Sequence, residues 1–120
     1  MANPVLEEKI NKLLRTLESK EPLIHELGTP RPVESDEIDQ LVALDRQAVP
    51  YLLDLMRVEN PKLVAYIASI LGRIGDIRAI GPLRELLVGL KSKDPKTPWD
   101  YAAIGQSQQA LKALEESEAK

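Results

Sequence analysis

Leu6, Ile10, Leu13, Leu14 and Leu17 recur every three or four positions near the start of the chain, and Glu7, Glu8, Lys12, Arg15 and Glu18 fill the places between them. This spacing predicts an amphipathic helix with one buried face. Asn3-Pro4 supplies its start, an N-cap followed by proline at the first helical position. The helix ends over Ser19 to Glu21. Pro22 to Leu27 allow another turn or two of helix, with Gly28 placed as a left-handed C-cap. Thr29-Pro30-Arg31-Pro32-Val33 has prolines in alternate positions and is expected to be an extended connector.

Beyond the connector the same period returns. Ser35 is placed as an N-cap, Asp36, Glu37 and Asp39 load the first turn with negative charge that suits the helix dipole, and Ile38, Leu41, Val42 and Leu44 form the apolar side of a helix over about 36–44. Arg46 to Arg57 predicts a helix with Val49, Leu52, Leu53, Leu55 and Met56 apolar and Pro50 confined to its opening turns. Asn60-Pro61 repeats the cap-and-proline start of a helix with a wide buried face, Leu63, Val64, Ile67, Ala68, Ile70, Leu71 and Ile74, that stops at Gly72 or Gly75. Asp76 caps the next helix, which runs through Ala79, Ile80, Leu83, Leu86 and Leu87, and Gly89 to Thr97 are expected to form a lysine-rich loop. Thr97-Pro98-Trp99-Asp100 combines an N-cap threonine with an acid three residues on, a variant of the capping box. Tyr101, Ile104, Gln108, Leu111 and Leu114 continue one face from there to a charged tail.

Two of these segments nearly coincide. Ala48-Val49-Pro50-Tyr51-Leu52-Leu53-Asp54-Leu55-Met56 returns as Ala79-Ile80-Gly81-Pro82-Leu83-Arg84-Glu85-Leu86-Leu87, thirty-one positions later. A period in this range marks stacked helical hairpins, since one such unit cannot bury its own apolar face.

The phrases Ala48-Val49-Pro50-x-Leu52, Asn60-Pro61-x-x-Val64 and Leu71-Gly72-x-Ile74-Gly75-Asp76-x-Arg78-Ala79-Ile80 resemble the HEAT-like repeat family, in the short subclass first recognised in phycobilisome bilin-lyase subunits. The resemblance covers residues 41–87 closely and 88–114 loosely. It implies an all-α fold, a short right-handed α-solenoid (α-α superhelix) in one domain: N-terminal capping helices over 1–33, core repeats over 34–90, and a loop with a C-terminal capping helix over 91–120. Physical chemistry gives each residue of the junction a structural job. Gly72 and Gly75 permit a tight turn, Asp76 caps, and Ala79 lets helices approach. The chain departs from the pattern in three places: Asp45 stands where the subclass carries glycine, the junction from Leu44 to Ala48 is four residues shorter than that from Leu71 to Ala79, and the loop before Trp99 is long.

Composition narrows the function. The 120 residues hold 43% apolar side chains, no Phe, one Trp and three Tyr, a balance suited to helix packing. There is no cysteine, which removes disulfides, thiolate nucleophiles and cysteine metal sites and points to a reducing cytoplasm. Met1 to Pro4 lacks the pattern of a secretory signal, and no apolar run approaches the roughly 20 residues of a membrane span. Net charge is −3, with the negative excess in the first half, the reverse of the basic stripe that a nucleic-acid binder needs. Lys91, Lys93 and Lys96, interrupted by Asp94, read as a solvated loop.

Catalytic chemistry finds little support. His25 is the one histidine, and Glu21 and Glu26 beside it fall short of the three or four ligands of a zinc site. No serine sits in a nucleophile elbow, and no glycine-rich loop could cradle phosphate. The acidic run Glu34, Asp36, Glu37, Asp39 is explained by its place in a first helical turn. No catalytic residue, metal or cofactor is expected.

A protein-binding surface is the better expectation. In solenoids of the resembled kind the second helix of each pair lines the concave side. On the helix from Pro61 the side chains outside the apolar face are Lys62, Tyr66, Ser69 and Arg73, read as one exposed ridge. Aligning Leu71 with Leu114 adds Gly105, Gln109, Lys112 and Glu116 on the last helix, and Asp39 falls beside them. Tyr66 and Arg73 are of types that dominate binding energies, and Trp99 is expected to be a lid on the core. The implied function is a non-enzymatic interaction module or scaffold with a protein partner, self-association being open. The resemblance also implies an alternative, an accessory subunit of a phycobilisome bilin lyase or a phycobiliprotein-handling factor.

Overall fold

Asn3 opens the first helix by accepting the Leu6 N–H on its side-chain oxygen at 3.2 Å. In the computed structural model, which describes residues 3–19, 23–24, 30–31, 35–57, 60–94 and 96–118, this helix, α1, is Pro4–Ser19 and buries Ile10, Leu14 and Leu17. Two short strands follow, β1 (Leu23–Ile24) and β2 (Pro30–Arg31), paired antiparallel with Leu23 opposite Arg31 and Ile24 opposite Pro30. Residues 23–24 are therefore strand where a further turn of helix was expected. Proline holds β2 extended, and β-branched Ile24 suits a strand partner. The rest of 20–34, including Gly28, lies outside the described residues.

The remaining described elements are helical: α2 (Asp36–Ala43), α3 (Val49–Leu55), α4 (Pro61–Ile74), α5 (Ile80–Ser92) and α6 (Pro98–Glu118). Ser35 has the extended backbone of an N-cap, but its hydroxyl makes no cap bond. The helix expected from Arg46 is divided: Asp45–Ala48 winds as a 3-10 turn and the α-helix begins at Val49. This puts Pro50 in the first α-helical turn, where its missing N–H forfeits no bond. α5 runs past Leu87 and through Gly89 to Ser92, because half-buried Leu86 and Leu90 give its last turns a packing face that outweighs the weak helix propensity of one glycine.

The two junctions are built alike. Each has a residue in the left-handed region, Asp45 at φ 58° and Gly75 at φ 79°, and a 3-10 turn ending on a buried alanine; Asp45 itself opens the first turn, to Ala48, whereas Asp76 follows Gly75 and caps the second, Ile77–Ala79. Each turn leads into an α-helix that buries a branched residue and, three positions on, a leucine: Val49 and Leu52, Ile80 and Leu83. The sequence repeat is thus a repeat of local structure.

α4 is the centre of the molecule. Its residues from Leu63 to Ala68 are all buried, because α1, α2, α3 and, most extensively, α6 pack against it, with α6 also against α5. Lys62 lies beside Trp99 near the starts of α4 and α6, and Gly72 faces Ala110 further along, so the two helices run parallel. Among the described residues no helix is long and apolar enough to cross a membrane.

Candidate functional site

The expected ridge on α4 is interrupted at its middle. Tyr66 is fully buried, Lys62 and Ser69 are half-buried, and Arg73 is exposed. The cause is α6. The Trp99 ring lies 6.3 Å from that of Tyr66, and the Lys62 ammonium sits 5.5 Å from the Trp99 ring centre. The stripe read as free surface is the seam on which the next parallel helix stacks. Further along the seam Gly72 faces Ala110, thirty-eight positions on. Asp39 on α2 and Gln109, Lys112 and Glu116 on α6 are exposed, and Gly105 is half-buried. Trp99 is half-buried and packs on both apolar clusters, the place of a lid.

A different concavity is present. α3 and α5 form the walls of a groove of about 960 Å³, floored by Met56 and Val64 and closed at one end by Asn60 and Pro61 at the start of α4. Leu53 from α3 and Leu86 and Leu90 from α5 stand half-exposed along it. Asp54 and Arg57 rim the first wall, Glu85 and Lys93 the second. Gly89 leaves the second wall without a side chain, and a Cβ built there meets no atom within 4 Å. The sequence did carry a signal for this site. Asp54 and Glu85 are equivalent under the thirty-one-residue repeat, and the half-buried leucines lie on the outer edge of each helix's apolar stripe.

Two buried carboxylates fix the walls. Asp76, 6% exposed, accepts from Arg78 Nε at 2.9 Å and Nη2 at 2.7 Å and from the Arg78 backbone N–H at 3.0 Å. The Arg78 guanidinium beside it holds its carboxyl below the usual aspartate range, against the opposing effect of burial. Asp100 is fully buried; burial pushes its pKa up, but the Thr97 N–H and hydroxyl and the Lys93 ammonium outweigh burial and leave it lowered. Thr97 and Asp100 complete the expected capping box, with the Thr97 N–H donating to Asp100 Oδ2 at 2.7 Å and the Asp100 N–H to Thr97 Oγ1 at 3.2 Å. The lysine-rich loop is shorter and more ordered in its bonding than expected: Lys93 donates to Asp100 Oδ1 at 2.9 Å, and Lys96 to the Lys93 carbonyl at 2.8 Å.

Among the described residues no group of three or more His, Asp or Glu side chains is placed to hold a metal ion. His25, Glu21, Glu26 and Glu34 lie outside the described residues. No protein-family model, curated protein or solved structure matches the chain.

Proposed function

We propose that the chain is a non-enzymatic, HEAT-like protein-interaction module, a short right-handed α-solenoid that binds a protein segment in the groove between α3 and α5. The observation that carries this reading is the groove itself: an open apolar trough with charged edges, walled by the two copies of the repeated helix. Such a trough matches the anatomy of protein-binding sites, an apolar floor inside a polar rim. The solenoid reading is supported by the equivalent junctions at 45–48 and 75–79 and by the parallel stacking of α4 and α6. The second-layer ridge is less suited to binding, since Trp99 covers Lys62 and Tyr66.

Gly89→Phe tests this reading. The site has room for the ring, and phenylalanine does not lower helix propensity relative to glycine. Affinity capture from a cell extract should recover proteins with the wild type that the variant loses. Recovery of the same proteins by both would show that the groove is not the site.

A further inference from the structure

α3 and α5 run in the same direction along the two sides of the groove. Their starts are joined by the Arg78 guanidinium, which donates to the Arg46 carbonyl at 3.2 Å. Their far ends also lie toward the same end of the molecule: α3 leads through a short loop into the start of α4, where Lys62 touches Trp99, and Lys93, just after α5, holds the neighbouring Asp100. Charge is therefore ordered along the groove. Asp54 and Glu85, one on each wall at equivalent repeat positions, face it about one turn from its near end at Pro50 and Pro82, and Arg57 lies about one turn further toward the far end. All three are exposed, and among the described residues none of them makes an ion pair. Lys93 is already paired with Asp100, which leaves Arg57 as the unpaired cation among the described residues lining the groove.

We infer that the occupant of this groove is an amphipathic helix of about three turns, lying antiparallel to α3 and α5, with a basic residue held between Asp54 and Glu85 and an acidic residue beside Arg57. The inference rests on the docking reading above and specifies its partner. Length supports it: Pro82 to Lys93 spans about 16 Å at 1.5 Å per residue, three turns of helix. The apolar floor asks for side chains at i, i+3 or i+4 and i+7, the stripe of a helix lying in a trough. Direction follows from charge. A helix is stabilised by acid in its first turn and base in its last. Only the antiparallel orientation puts that acid at Arg57 and that base at Asp54 and Glu85.

The test uses two labelled synthetic peptides of about fourteen residues with the same leucine stripe, one with glutamates in the first turn and lysines in the last, the other with these charges exchanged. Fluorescence anisotropy with the full chain should show the acid-first peptide binding about tenfold tighter. Asp54→Lys with Glu85→Lys should reverse that preference, and Gly89→Phe should abolish binding of both. Equal binding of the two peptides, lost with Gly89→Phe, would overturn the charge-ordered helix while leaving the groove a docking site. Failure of both to bind would overturn the helical occupant, with extract capture still deciding the broader reading. Binding unchanged by Gly89→Phe would place the peptides elsewhere and overturn the inference. A concentration-dependent dimer that Gly89→Phe abolishes would assign the groove to a second copy of the chain, with the same consequence.

Discussion

Arg78 reaches across the repeat to Arg46: its guanidinium Nη2 donates to the Arg46 backbone carbonyl at 3.2 Å while also holding Asp76 Oδ2 at 2.7 Å. One side chain thereby ties the second junction to the turn that opens the first wall of the groove. Replacing Arg78 by alanine strands the Asp76 carboxylate in a nearly buried position and frees the 45–48 turn. Arg78→Ala should lower the melting temperature, and Arg78→Lys should restore only part of it, because an ammonium cannot form the forked contact. Full restoration by lysine would show that charge alone matters.

The same carboxylates set the response to acid. Asp76 and Asp100 both have pKa values below the ordinary aspartate range in the folded chain. Their stabilisation is fully present above the unfolded-state pKa and is lost as pH falls through the folded one. Melting temperature should therefore fall as pH drops below about 4, the ordinary aspartate value of the unfolded chain. Asp76→Asn with Asp100→Asn should melt lower at neutral pH and flatten that limb. An unchanged acid limb in the double variant would disprove the assignment.

Gly72 and Gly75 should respond to alanine for different reasons. At Gly72 the new Cβ lies 3.0 Å from both Cα and Cβ of Ala110, an overpacking cost of about 1–3 kcal/mol that exceeds the helix propensity gain of about 1 kcal/mol. At Gly75 nothing lies within 4 Å, and the cost of about 1 kcal/mol comes from φ 79° alone. Denaturant unfolding should show Ala110→Gly easing the Gly72→Ala defect in part, since the Ala110 Cα remains, and leaving Gly75→Ala unaffected.

Asp45 occupies the left-handed region with a side chain, at φ 58°. Asp45→Gly should stabilise the fold by up to about 1 kcal/mol, the relieved backbone strain being partly offset by glycine's greater freedom when unfolded. A loss of stability in thermal melts would mean that the Asp45 side chain contributes more than its backbone conformation costs.

Tyr66 belongs to the core, with no exposed surface and Trp99 beside it. Tyr66→Ala should destabilise the chain by about 3–5 kcal/mol and shift the emission of Trp99, its single tryptophan. Near-native stability for this variant would return Tyr66 to the surface.

Local rules were enough for much of the helical plan. Asn60 accepts the Leu63 N–H, Gly75 takes the left-handed C-cap, and Thr97 pairs with Asp100, all from residues within a few positions of each other. Such interactions involve short loops and the chain's own polar groups, so a linear reading can place them. The thirty-one-residue repeat likewise marked the two helices that open alike, with the first junction shorter than the second, and even the anomaly at Asp45 was visible as an aspartate in a glycine's place.

The candidate site was not determined this way. Whether Lys62, Tyr66, Ser69 and Arg73 face water depends on where α6 lies, and that is set by the contact of Gly72 with Ala110 and of Trp99 with Tyr66, between positions more than thirty residues apart. Helical periodicity gives the direction in which a side chain leaves its own axis; what stands opposite is decided by packing between helices. The groove arose in the same way, because α3 and α5 stand apart over a floor supplied by Met56 and Val64, and no single helix contains that space.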